Sequence, residues 1–296
     1  MLNKISSYAF ALLGMIVVMS SCKKDYESIQ NIDQAKIQEY FSKNNITAKP
    51  DPDGSGYYYQ ILTPGTGTTF SNKDSVLYYV TVKSLLNGTV YYSTPANTNI
   101  GTFVGYTNGL IGLANASGIR RAIQELKPGG TARIVLPSYL GFGKNGNTSY
   151  GVPSNEILEV LVNTYPERTQ RKLDNRLISQ YIAAKGLTAT KDSSGVYYVV
   201  VQQGTGTDPI NMTTALKGNY TGRYLNGTVF DSSTDGTFSF VLGSLAANWE
   251  VLTKFTKGAK VRLFIPSSEA YGTAGTTGVL PNAILDFDIE ILEVTN

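Results

Sequence analysis

One pattern occurs twice along this chain, and it constrains the architecture more than any single residue does. Asn87-Gly88-Thr89-Val90-Tyr91-Tyr92 returns as Asn226-Gly227-Thr228-Val229-Phe230-Asp231, and Gly65-Thr66-Gly67 returns as Gly204-Thr205-Gly206. Upstream, Gly56-Tyr57-Tyr58 matches Gly195-Val196-Tyr197-Tyr198, and Asn45-Ile46-Thr47-Ala48 matches Gly186-Leu187-Thr188-Ala189. Downstream, Leu136-Pro137-Ser138 matches Ile265-Pro266-Ser267, and Phe142-Gly143 matches Tyr271-Gly272. Elements that recur in the same order mean that one arrangement is built twice. Gly88 to Gly129 spans 41 positions where Gly227 to Gly258 spans 31, so the first copy carries an insertion of ten.

Within each copy the pattern is mostly that of strands. Val76 to Val82, Val196 to Val201 and Ala259 to Ile265 are β-branched and aromatic runs, the last bounded by Gly258 and Pro266. Leu285, Phe287, Ile289 and Ile291 alternate with Asp286, Asp288 and Glu290, which predicts a strand with one buried face and one solvated face. Each copy is preceded by a helical stretch. Leu173, Leu177, Ile178, Tyr181 and Ile182 recur at helical spacing, with Gly186 where a left-handed C-terminal cap belongs. Ile37, Tyr40 and Phe41 with Asn45 form the shorter counterpart, with Asp33 expected as its N-cap. These helices would pack on a neighbouring domain, set the spacing between domains, or mediate oligomerisation.

The first residues carry Lys4, an apolar run from Tyr8 to Met19, and then Ser20-Ser21-Cys22. That layout predicts a secretory signal over residues 1–21. Twelve apolar residues fall short of the roughly 20 that a membrane-spanning helix needs. Cys22 is the only cysteine, so no intrachain disulfide forms. Its setting resembles a bacterial lipobox, with Met19 where Leu is usual, and implies a lipidated Cys22 that anchors the protein to a membrane. No aspartate follows the cysteine directly in Lys23-Lys24-Asp25, which suits the outer membrane of a bacterial envelope. A net charge of +3 with 16% charged residues gives no field for nucleic acid. The chain has no histidine, which excludes a histidine-dependent triad and the common zinc sites.

Four motifs in order then give the second copy a specific resemblance. Tyr220-Thr221-Gly222 leads to Phe230-Asp231-Ser232-Ser233; Ile265-Pro266 leads to Ala270-Tyr271-Gly272; Gly278-Val279-Leu280-Pro281-Asn282-Ala283 and the strand from Leu285 to Leu292 follow. Together they resemble the FKBP-type peptidyl-prolyl cis-trans isomerases. The resemblance implies an α+β fold in which a curved antiparallel β-sheet wraps on a short helix. With the repeat, it implies two tandem FKBP-like domains: a tether and helix over 22–56, a degenerate domain over 57–166, a helical linker over 167–195, and an isomerase domain over 196–296.

Carried onto this sequence, the family's pocket has aromatic walls at Tyr220, Phe230 and Phe238, a floor at Trp249 and a rim at Leu245. Tyr271 would offer its hydroxyl to a substrate carbonyl, Asp231 would contact that carbonyl or hold Tyr220, and Val279 and Phe287 would close the pocket. No cofactor and no metal are implied. Two departures bear on the floor: Trp249 to Gly258 is one residue shorter than in the family, and Leu245-Ala246-Ala247-Asn248 lacks the family's glycine, which leaves the register of Trp249 open. In the first copy Thr81 is read at the Tyr220 position, Tyr92 at Asp231, Ile119 near Trp249, Phe142 at Tyr271 and Val160 at Phe287, a set without the polar pocket groups. The implied function is prolyl isomerisation of proline-containing segments of extracytoplasmic proteins by the second domain. The alternative is a non-catalytic, peptide-binding chaperone or assembly lipoprotein.

Overall fold

The computed structural model describes residues 27–107, 110–113 and 117–296. The expected signal segment and Cys22 lie outside them. Thirteen strands form two antiparallel sheets among the described residues. The first contains β1 (Lys49–Pro50), β2 (Tyr58–Thr63), β3 (Ser75–Ser84), β4 (Val90–Ser93), β5 (Ile100–Phe103), β6 (Thr131–Leu136) and β7 (Leu158–Thr164). The second contains β8 (Thr190–Lys191), β9 (Tyr197–Gln202), β10 (Ala215–Tyr224), β11 (Val229–Val241), β12 (Lys260–Ile265) and β13 (Leu285–Thr295).

The orders are the same arrangement. β1-β2-β6-β7-β3-β4 in one sheet corresponds strand for strand to β8-β9-β12-β13-β10-β11 in the other, with β5 as an extra partner of β3. Register pairs locate equivalent residues: Val82 faces Val160 as Gly222 faces Phe287, and Val135 faces Glu159 as Phe264 faces Asp286. The ten-residue excess of the first copy falls beyond β4, where the chain adds β5 and reaches α2 (Ser117–Glu125). On its inner face the first sheet packs Val80, Ile134, Leu158 and Val160 against Ile119, Ala122 and Ile123 of α2. The second sheet packs Leu263, Leu285, Phe287 and Ile289 against Trp249, Val251 and Leu252. There the expected short helix is a single 3-10 stretch, Glu250–Lys254, because six residues between Asn248 and Phe255 cannot complete two α-turns.

A helix covers the outer face of each sheet. α1 (Ile29–Lys43) and α3 (Gln170–Ala184) end alike: Leu187 N–H donates to Ile182 O (3.0 Å) past Gly186 at φ 61°, and Ile46 N–H donates to Phe41 O (2.9 Å) past Asn45 at φ 53°. The left-handed residue lets the chain turn back and satisfy the last carbonyls. The start of α1 differs from expectation. Ser28 is its N-cap, accepting from Asn31 N–H at 3.3 Å, and Asp33 lies inside the helix, 1% exposed. Ile178 packs on Phe264 and Ile284, with the Tyr181 ring edge-on to Phe264 at 5.6 Å. Leu173 and Ile178 are fully buried, each contributing about 1.5–3 kcal/mol of hydrophobic stabilisation.

Covering that face overturns the expectation of a solvated one at the Asp286 end of β13. Asp286 is fully buried, while Asp288 is exposed and Glu290 half-buried. Asp286 accepts from Arg262 Nε (2.8 Å) and Nη2 (2.6 Å), and the same Nη2 also donates to Tyr181 Oη (3.0 Å), so the charge is neutralised under α3. The first sheet repeats the device with Glu159, which pairs with Arg133 and with Lys83. Alternation marks the two faces of a strand, and what covers each face is decided by the element laid on it.

Candidate functional site

Strand β10 carries Tyr220, β11 carries Phe230, Asp231 and Phe238, β13 carries Phe287, the segment after β11 brings Leu245 to Trp249, and the turn after β12 brings Tyr271. They enclose a cavity of about 170 Å³ lined by Tyr220, Phe230, Asp231, Phe238, Trp249 and Tyr271, closed by Phe287 and by Leu245, Ala246 and Ala247. Trp249 is 4% exposed and meets Phe287 (5.1 Å), Phe240 (5.4 Å) and Tyr220 (5.9 Å) edge-on. The shortened segment therefore leaves it at the floor. Phe230 stands perpendicular to Phe287 at 5.7 Å, and Tyr220 tilts over Phe238 at 4.6 Å. Such edge and tilted contacts are favourable beyond their buried area.

Gly222 makes this wall possible. A Cβ there would lie 2.5 Å from Phe287 Cε1 and 2.8 Å from Phe230 Cζ, both ring atoms held by further rings. The one charged group of the cavity is Asp231, which accepts from the Tyr220 hydroxyl at 2.6 Å. Burial, then this carboxylate, pushes the Tyr220 hydroxyl up from its usual pKa of 10, so it stays protonated and donating. Of the two expectations for Asp231, the geometry realises the hold on Tyr220.

Eight of the nine residues expected at the site line this cavity; Val279 does not. It is buried in the second core and pairs with Thr276 across a tight turn, because Gly275, at φ 64° and with room for no side chain (a Cβ there would lie 2.5 Å from Val279 O), folds the loop onto itself. The loop is held by Tyr224, whose hydroxyl donates to Gly278 O (3.0 Å) and accepts from Leu280 N–H (3.1 Å). On its far side Asn282 Nδ2 donates to Asn99 O of the first domain (3.1 Å). Ala246 and Ala247, which line the cavity with small side chains, and Phe240, which stacks on Phe238 at 4.8 Å, are additions to the expected set. Alternation along β11 with Phe238 was the signal for Phe240.

A sequence model described as FKBP-type peptidyl-prolyl cis-trans isomerase matches residues 206–292. That segment is an FKBP-type domain. Among similar proteins are the FKBP-type peptidyl-prolyl cis-trans isomerase FkpA of Escherichia coli strain K12, 40% identical over 114 residues covering 38% of this chain and 42% of the relative. FkpA of Aeromonas hydrophila is 33% identical over 152 residues, covering 49% and 54%. The peptidyl-prolyl cis-trans isomerase Mip of Coxiella burnetii is 38% identical over 119 residues, covering 36% and 51%. The chain spans about half the length of the curated relatives it matches. The crystal structure of Escherichia coli FkpA superposes with a TM-score of 0.38 at 33% identity, covering 43% of this chain and 59% of that one.

The FKBP-type domain and the first copy differ where the pocket is. Register puts Val80, fully buried, at the position of Tyr220; Thr81, read there from the sequence, corresponds to Thr221 and points away. Tyr92 does stand opposite Val82 as Asp231 stands opposite Gly222. Val82 is fully buried, so a branched side chain fills the space that the FKBP-type domain leaves open for two rings.

Proposed function

We propose that the FKBP-type domain catalyses cis-trans isomerisation of prolyl bonds in polypeptide segments within the bacterial cell envelope, held to a membrane through Cys22, with the first domain as a non-catalytic partner unit. The observation that carries this reading is the 170 Å³ aromatic cavity with the Tyr220–Asp231 pair at its edge. Rotation about a prolyl amide meets a barrier of about 18–20 kcal/mol because twisting destroys resonance, and no bond to a nucleophile is required. The twisted amide carries less charge on its carbonyl oxygen than the planar one. An apolar, water-poor enclosure thus favours the transition state over the ground state. Phe230, Trp249 and Phe287 supply that enclosure, and Tyr271 is placed to donate to a neighbouring carbonyl of the bound segment. Asp231 fixes Tyr220, which forms the wall against which the proline ring would rest.

The test is NMR exchange spectroscopy of an X-Pro peptide with the full chain, before and after Asp231→Ala and with chelator present. Cis-trans exchange should accelerate, survive the chelator and fall in the variant. Because the first domain has Val80, Val82 and Phe142 in place of Tyr220, Gly222 and Tyr271, it should contribute no residual rate. Binding of the peptide by the folded wild-type chain without faster exchange would refute catalysis and leave a peptide-binding chaperone.

A further inference from the structure

Outside the family-matched segment, α3 carries a carboxylate that reaches the pocket through hydrogen bonds alone. Asp174 is 1% exposed, and its Oδ2 accepts from Ser267 N–H (2.8 Å) and Ser267 Oγ–H (2.7 Å), while its Oδ1 accepts from Gln170 Nε2 (2.7 Å). Ser267 opens a one-turn 3-10 segment, Ser267–Glu269, and its carbonyl accepts from Ala270 N–H (3.2 Å) and Gly272 N–H (2.9 Å), the two neighbours of Tyr271. At the other end of that turn, Glu269 O accepts from Asn248 N–H (2.8 Å), and Asn248 Oδ1 accepts from Glu250 N–H (3.0 Å), so Trp249 is bracketed as well. The first domain repeats the connection: Asp33, also 1% exposed, accepts from Ser138 N–H and Oγ–H, both at 2.7 Å, and Ser138 O accepts from Gly141 N–H (3.0 Å) next to Phe142.

We propose that Asp174 is a positioning residue of the FKBP-type domain, holding Tyr271 and Trp249 in register through the Ser267–Glu269 turn. The effect on rate rests on the isomerase reading above; the effect on Trp249 does not. A buried carboxylate costs free energy unless its oxygens are fully hydrogen-bonded, so its retention at this point ties the helix to one turn in one register. Displacing pocket groups by a fraction of an ångström is felt by any reaction that depends on their fit to the transition state. Asp33 offers a control within the same chain, because its lock leads to a copy with neither the tyrosine nor the tryptophan.

Trp249 is the only tryptophan in the chain, so its fluorescence reports the pocket floor directly. In the full chain, Asp174→Ala should shift the Trp249 emission maximum and lower kcat/KM for prolyl exchange by about tenfold in molecules shown to be folded. Asp33→Ala should lower thermal stability comparably and leave both readouts unchanged. Asp174→Asn should restore both, because its amide oxygen still accepts from Ser267 and its N–H₂ meets Gln170 Oε1 once the Gln170 amide turns over; that Oε1 is buried and now has no partner among the described residues. If Asp174→Ala fails to fold, Ser267→Ala, which removes only the hydroxyl donor, is read instead and should move the emission maximum in the same direction. Unchanged emission and rate in a folded Asp174→Ala or Ser267→Ala protein would overturn the proposal. An inactive wild type would refute the isomerase reading alone, with the emission shift still deciding the positioning role.

Discussion

Replacing Trp249 by phenylalanine and by alanine separates two contributions of the pocket floor. The indole packs against Tyr220, Phe240 and Phe287, yet its Nε1–H finds no acceptor among the described residues. A buried donor left unpaired costs about 1–3 kcal/mol, and phenylalanine removes that donor. Phenylalanine also leaves a gap at the outer edge of the indole, where the distal six-membered ring was; at about 24 cal/mol per Å³, a residual cavity of about 40 Å³ costs about 1 kcal/mol. The two effects oppose each other, so Trp249→Phe should change the stability of the FKBP-type domain by no more than about 1 kcal/mol. Trp249→Ala has no such offset and should cost about 3–5 kcal/mol. Urea unfolding of the full chain followed by far-ultraviolet circular dichroism reads both, with prolyl exchange measured on the same samples below the transition. Phenylalanine should keep most of the rate, since an aromatic floor remains, and alanine should lose most of it. Equal destabilisation by the two substitutions would show that the N–H is paired. Undiminished exchange in folded Trp249→Ala would remove the residue from the site.

Two further outcomes follow from other parts of the chain. The Asp192 carboxylate, hydrogen-bonded by Lys254 and by Ser194 N–H, is held well below the ordinary value of 3.8; a depressed carboxylate contributes stability that is complete above the unfolded value and lost as pH falls toward the folded one. Because Lys254 ends the 3-10 stretch that follows Trp249, acidification below pH 3.8 should change Trp249 emission, and Asp192→Asn should flatten that response. Cys22→Ala should move the protein from the membrane fraction to the soluble fraction, and unchanged fractionation would refute the lipid anchor.

Much of the pocket was readable because its residues answer to local rules that leave a trace in order and spacing. Gly222 is required where two rings approach the backbone, Gly186 where a helix turns back, and the aromatics of β10 and β11 alternate along their strands. What was not readable depends on contacts between elements far apart in the chain. Asp33 reads locally as a helix cap, and only the distant Ser138 makes it a buried acceptor inside α1. Asp286 reads as the wet side of a strand, and only α3 with Arg262 makes it an interior ion pair. Thr81 and Val80 differ by one position, which in a strand exchanges the two faces, and only the pairing with β7 decides between them. The fate of Trp249 turned on whether a shortened segment would tighten into a 3-10 turn, a choice made by packing on Phe287 and Phe240.

The helix laid on the outside of the second sheet determines where the molecule can be divided. A fragment begun at the edge of the family match, near residue 206, would lack α3 and also β9, which borders β12, and β8 beyond it. Phe264 and Ile284 would face water, Arg262 and Asp286 would lose the cover that dries their pairing, and Ser267 would be left without its acceptor. The smallest separable piece of the second half therefore starts no later than Gln170. A protease that nicks the chain between Tyr165 and Gln170 should release two intact bodies, whereas one that cuts after Ala184 should leave the second body without its outer layer.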